Sequence, residues 1–134
     1  MARALVDQYG IWISCYDESD DRVRVGNELL KMAGIANRVR LTRYDPETIK
    51  IGTGAWDCIL GRDTLYRVDD KARLVEELLR GLKLNGQLVI TDYVLARPGL
   101  DSETVRAWLE VEEGTPQPWS LEDYDTCFTK KTRL

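Results

Sequence analysis

Short, near-continuous apolar runs punctuate this chain. IWISCY (11–16), WDCIL (56–60) and the LVIT core of GQLVITDYV (strand over 87–92) are rich in β-formers and predict strands. RVRLTRY (38–44) alternates polar and apolar residues and predicts a fourth strand, stopped by Asp45-Pro46. The intervening segments carry helical spacing. Residues 2–9 read as a helix stopped by Gly10, and Ser19 caps a second with Val23, Leu29, Leu30 and Ala33 on it, ended by Gly34. A third helix, over 71–82, places Leu74, Leu78, Leu79 and Leu82 on one stripe, and Ser102 caps a fourth that runs to about Glu112. GTPQPW breaks that helix and SLEDYDTCF starts another. Gly52-Thr53-Gly54 and Asn85-Gly86 read as turns. Strands alternating with helices predict an α/β fold in three layers, with a mostly parallel sheet covered on both faces.

At 134 residues and 15.4 kDa the chain suits one domain, and no repeat, low-complexity tract or linker divides 1–134. The net charge of −4 gives no basic excess and argues against nucleic acid as a partner. No apolar run reaches the roughly 18–20 residues of a membrane span, and no signal-peptide pattern opens the chain. Histidine is absent, which removes Ser-His and Cys-His triads, a His base and His-ligated metal. Cys15, Cys58 and Cys127 are odd in number and widely spaced, so neither a disulfide framework nor a zinc site is expected. Cys15 and Cys58 lie in apolar runs and read as buried free thiols, which fits a cytoplasmic setting. Trp12, Trp56 and Trp108 are expected to pack in the core, and Glu110, Glu112 and Glu113 to form a solvated helix end.

In doubly wound folds ligands bind beyond the carboxyl ends of the strands. Asp17, Asp45, Asp63 and Asp92 each follow a predicted strand, and the first three are expected to converge at one sheet edge. A carboxylate there suits the vicinal hydroxyls of a ribose, although a strand-end Asp also serves as an ordinary cap or turn residue.

With these residues in place, the stretches WISCYDES, VRLTRYDPE and WDCILGRDTLYRVDDKARLVEELLRGLKLNGQLVITDYV resemble class I S-adenosylmethionine-dependent methyltransferases. The nearest group is that of the phosphoethanolamine N-methyltransferases and similar small-molecule enzymes, and the resemblance covers roughly residues 2–125. It implies a truncated Rossmann-like methyltransferase fold. It also implies that Asp17 binds the cofactor ribose, that Asp45 meets the adenine, and that Gly61, Arg62 and Asp63 lie beside the methionine part. Tyr93 would sit near the acceptor substrate; Tyr66, by its own position, reads as a substrate-pocket or packing residue.

The departures are equally specific. The family's first strand and its glycine-rich loop, which lets backbone approach the methionine part of the cofactor, have no counterpart in this sequence; GTG at 52–54 precedes a strand and does not replace the loop. Arg67 stands where the phosphoethanolamine enzymes carry a catalytic His, and EVEEG (110–114) replaces a basic phosphate-binding stretch. Two readings follow. One is a methyltransferase-like domain that holds S-adenosylmethionine weakly or has lost it, transfers a methyl group to a small molecule, and pairs through open strand edges with another copy or a partner chain. The other is a non-catalytic binding module, or an incomplete fragment, that keeps the fold without the loop. No catalytic residue and no metal ligand is assigned.

Overall fold

Gly10 ends the first helix as its position demands. In the computed structural model, which describes residues 1–131, α1 covers Ala2–Tyr9, and Gly10 adopts the left-handed conformation (φ 64°) while its N–H closes on Val6 O at 2.8 Å. The chain divides into two compact units, Met1–Pro46 and a second that starts at Glu47.

The first unit is a right-sized βαβ element. β1 (Ile13–Asp17) and β2 (Val39–Arg43) are parallel and in register from Ile13↔Val39 to Asp17↔Arg43, joined by α2 (Asp20–Met32). Ser19 caps α2 by accepting from Arg22 N, and Asp20 and Asp21 in the first turn complement the helix dipole. Gly26 faces the Leu41 side chain, whose Cδ2 a Cβ there would crowd. The Asn27 amide, one residue on, donates to Leu41 O at 2.8 Å and accepts from Leu41 N at 3.2 Å.

In the second unit β3 (Trp56–Arg62) pairs in parallel with β4 (Leu82–Thr91). Between them lie a 3-10 turn at Leu65–Arg67 and α3 (Lys71–Gly81), capped by Asp70. α4 (Glu103–Val111), capped by Ser102, and α5 (Leu121–Lys131) follow. Leu65, Val68, Leu74 and Tyr124 form the core, with Ile49, Leu78, Ile90, Trp119 and Phe128 packed against it. Two charged residues are buried in this unit. Lys71 is wholly inaccessible; its Nζ donates to Val68 O at 2.6 Å and lies 5.6 Å from the Trp119 ring centre. Glu77 is 4% exposed and accepts from Ile51 N at 2.8 Å, with Arg80 at 2.5 Å and Lys50 at 3.5 Å on its other oxygen. Burial works against the Glu77 carboxylate, but the Ile51 N–H and the Arg80 and Lys50 charges outweigh it and hold the carboxyl below its usual value.

The structure therefore has the expected α/β character, with parallel strands and connecting helices, and the strands form two pairs, β1-β2 and β3-β4. Three local expectations change. Asn85-Gly86 is not a turn before a strand; β4 starts directly after α3, and Lys83, Leu84, Asn85 and Gly86 bulge between the pairs Trp56↔Leu82 and Cys58↔Gln87. Trp12 is 73% exposed, and its ring carries the Arg38 guanidinium at 5.3 Å instead of packing in a core. Cys58 is exposed and Cys15 half-buried, whereas Cys127 is the buried thiol. Among the described residues no helix is long and apolar enough to cross a membrane.

Candidate functional site

Parallel order places Asp17 and the residues after Arg43 at the same, carboxyl-terminal end of the first unit. Tyr44 N donates to Asp17 O at 3.1 Å, so the chain passes directly beside Asp17 before reaching Asp45. Asp17 Oδ1 accepts from Ser19 N at 2.9 Å and from Arg22 Nε at 2.8 Å. Both donors meet Oδ1; among the described residues Oδ2 has no donor, and the side chain is 30% exposed. Sequence reasoning missed the aromatic pair here: Tyr16 and Tyr44 meet edge to face at 6.0 Å. Burial, then the nearby Glu18 and Asp17 charges, push the Tyr44 phenol up to about 12, so it stays protonated as a donor. The alternation of Tyr16 with Asp17 and of Tyr44 with Asp45 was the available signal.

In the second unit the carboxyl end of β3 carries Gly61, Arg62 and Asp63. Asp63 takes a left-handed conformation (φ 49°), tied by its N–H to Thr91 O at 2.7 Å and by Thr91 Oγ1 donating to Asp63 Oδ1 at 3.0 Å. Asp tolerates this region better than most residues. Arg62 lies 3.6 Å from Asp63 and is solvent-exposed. A Cβ on Gly61 would make ordinary contact with Ile90 at 3.6 Å. By contrast, the Gly52-Thr53-Gly54 turn lies before the amino end of β3, and its backbone is committed: Gly54 N donates to Arg80 O and Ala55 N to Gly81 O.

Asp92, at the end of β4, is a structural tie. It accepts from Tyr66 N at 3.2 Å and from the Tyr124 hydroxyl at 2.5 Å. Burial raises the Asp92 carboxyl and lowers the nearby Lys71 ammonium, and their mutual attraction opposes both shifts.

Beyond β4, Tyr66, Tyr93 and Trp108 form a three-ring cluster with centre separations of 5.2, 5.7 and 5.6 Å. Glu112 locks it. The Tyr66 hydroxyl donates to Glu112 at 2.9 Å, Trp108 Nε1 at 3.1 Å and Arg67 at 3.0 Å, while Arg67 Nε also donates to the Tyr66 oxygen at 2.7 Å. These donors hold the Glu112 carboxyl below its usual value. The expectation of a solvated acidic helix end therefore fails at Glu112, whose charge is consumed by Arg67. Tyr66 is 2% exposed, whereas Tyr93 is 51% exposed and forms one side of an open cleft of about 520 Å³ whose wall also includes Leu100, Val105, Trp108 and Pro118. Among the described residues no cluster of His, Cys, Asp and Glu could hold a metal ion.

No protein-family model matches the sequence. The chain is 26% identical over 91 residues to a glycine/sarcosine/dimethylglycine N-methyltransferase of Actinopolyspora halophila, covering 68% of this chain and 16% of that protein. It is 28% identical over 85 residues to a ubiquinone/menaquinone biosynthesis C-methyltransferase of Pasteurella multocida, covering 63% of this chain and 31% of that one. The fold matches Haemonchus contortus phosphoethanolamine N-methyltransferase 2, solved with phosphomonomethylethanolamine and S-adenosylhomocysteine, with a TM-score of 0.83 at 22% identity over 97% of this chain and 30% of that one. The chain thus spans between about a sixth and a third of these proteins. Its fold is the Rossmann-like one of the class I S-adenosylmethionine-dependent methyltransferases, and the curated sequences it matches are methyltransferases. It is similar to part of a methyltransferase domain.

Proposed function

We propose that this chain serves S-adenosylmethionine-dependent methyl transfer to a small molecule. The observation that carries the reading is Asp17: a strand-end carboxylate fixed by a helix N-terminal N–H and an arginine, with one oxygen left to accept hydroxyl donors. It fits a ribose, because Oδ2 keeps both of its acceptor directions. In the same unit Asp45 would meet the adenine, beside the Tyr44 ring. In the second unit Gly61, Arg62 and Asp63 would serve the methionine part of the cofactor at the carboxyl end of β3. S-adenosylmethionine, when bound, supplies an already activated methyl group, so the protein's task is positioning and exclusion of water. A chain without histidine is adequate for that. Tyr93 would touch the acceptor, and Tyr66, buried behind it with its hydroxyl given to Glu112, would hold Tyr93 and Trp108 in place.

The Gly52-Thr53-Gly54 turn, held to α3 through Gly54 N and Ala55 N, is not the cradle for a methionine carboxylate, and on this reading binding is weak. Calorimetry with S-adenosylhomocysteine tests the reading. The expected dissociation constant is micromolar or weaker, and Asp17→Asn weakens it further by about 10- to 150-fold, the value of a hydrogen bond to a charged group. No binding at millimolar ligand, or equal affinity in the variant, overturns it.

A further inference from the structure

We infer that the cleft beside Tyr93 takes an uncharged, largely apolar acceptor group, an aromatic ring or branched hydrocarbon, and not a phosphate ester or an amino acid. This rests on the reading of Tyr93 as an acceptor contact and narrows it to a substrate class.

Three observations carry it. The first is the wall: among the described residues no charged side chain lines the cleft, and Val94, Leu95, Leu100, Val105, Trp108 and Pro118 supply most of it. A phosphate or carboxylate entering such a wall would lose its hydration with no countercharge in return. The second is the neighbouring charge. Arg67, the cation closest to the aromatic cluster, is paired with Glu112, and Arg106 on α4 is paired with Asp101 at 3.3 Å. The Arg67 and Glu112 charges are thus spent on each other, and Arg106 and Asp101, 62% and 67% exposed, stay in solvent and off the wall of the cleft. Trp108 Nε1 is likewise spent on Glu112. The third is what polarity remains. Ser102 Oγ accepts from Val105 N as a helix cap and keeps its O–H to donate, so the side-chain polarity of the wall is the hydroxyls of Tyr93, Ser102 and Thr104 together with the spent Trp108 Nε1. A few hydroxyls orient one phenol, carbonyl or alcohol on an otherwise apolar body. A cleft of about 520 Å³ also exceeds what a glycine-sized acceptor would fill, and lies within the roughly 300–1,000 Å³ of drug-sized ligand sites.

The test uses the 134-residue chain and three probes: 1-naphthol, phosphoethanolamine and sarcosine. Binding is read by tryptophan fluorescence and by chemical-shift changes at Tyr93, Leu100 and Val105. The expected result is saturable 1-naphthol binding with shifts at those residues, and at least tenfold weaker binding of the two charged probes. Leu100→Glu, at a half-buried loop position, should weaken 1-naphthol at least tenfold, and Thr104→Val about threefold; near-UV circular dichroism confirms that both variants are folded. Tighter binding of phosphoethanolamine or sarcosine, no saturable 1-naphthol binding, or unchanged affinity in folded Leu100→Glu overturns the inference. S-adenosylhomocysteine calorimetry on the same samples separates the two readings. Naphthol binding without cofactor binding sinks the methyltransferase reading and leaves the cleft chemistry standing, whereas the reverse result sinks the cleft chemistry alone.

Discussion

Removing the Glu77 carboxylate should cost more than any surface substitution in this chain. Glu77 projects from α3 and accepts from Ile51 N, which fastens the segment leading into β3 onto the helix. Glu77→Ala strands that N–H in a partly buried place, at about 1–3 kcal/mol, and removes a hydrogen bond to a charged acceptor that is itself worth about 1.5–3 kcal/mol. These overlap, because they describe one bond from its two ends. The ion pairs add little, since the Arg80 and Lys50 side chains are 47% and 71% exposed and return to water. The net expectation is about 2–3 kcal/mol, a large share of a stability of about 5–15 kcal/mol. Urea unfolding of wild type and Glu77→Ala at pH 7 measures it as a shift in midpoint at constant slope. The pH dependence supplies a second reading. Because the folded carboxyl titrates below its unfolded value of about 4.3, its contribution is complete above that pH and fades as pH falls through the folded value. The wild-type and Glu77→Ala curves should therefore converge below pH 4. A loss under 1 kcal/mol at pH 7, or a difference as large at pH 3 as at pH 7, would refute the reasoning.

Two further outcomes are expected. In the β4 bulge Asn85 has φ 64° and is exposed, so Asn85→Gly should be neutral in thermal unfolding while Asn85→Ala destabilises by about 1–2 kcal/mol. A thiol reagent should modify Cys58 first, Cys15 more slowly because burial pushes its thiol up, and Cys127 only on unfolding, as followed by mass spectrometry of the labelled peptides.

Local signals located the described α-helices and strands, while the 3-10 turn at Leu65–Arg67 and the start of β4 at Leu82 went unread. Gly10, Ser19 and Ser102 do at the helix ends what their chemistry dictates, within three or four residues of their partners. The misses share the opposite property. Glu112 reads as solvated because its partners, Tyr66 and Arg67, lie 46 and 45 positions away. Cys58 sits in an apolar run yet faces solvent, and Trp12 is paired with Arg38, distant in sequence but brought beside it at the amino end of the parallel strands. Asn85-Gly86 carries the left-handed residue that a turn needs, but parallel pairing with β3 resumes directly after it, so the kink is absorbed into the strand. At the site, the strand-end positions of Asp17, Asp45 and Asp63 were legible from the order of elements. The donors that decide which oxygen of Asp17 stays available were not, since they depend on the rotamer of Arg22.

The Asn27 side chain has a consequence for aggregation. A peptide group and a carboxamide offer the same donor and acceptor at nearly the same spacing, so Asn27 meets Leu41 as a strand would. Leu41 turns these groups away from β1, which makes Asn27 a one-residue counterfeit of a neighbouring strand on the outer border of β2. Two positions earlier, Val39 N is already taken by Ile35 O. That border is plugged at its centre and at its start, which disfavours a cross-β ladder with a second chain along β2.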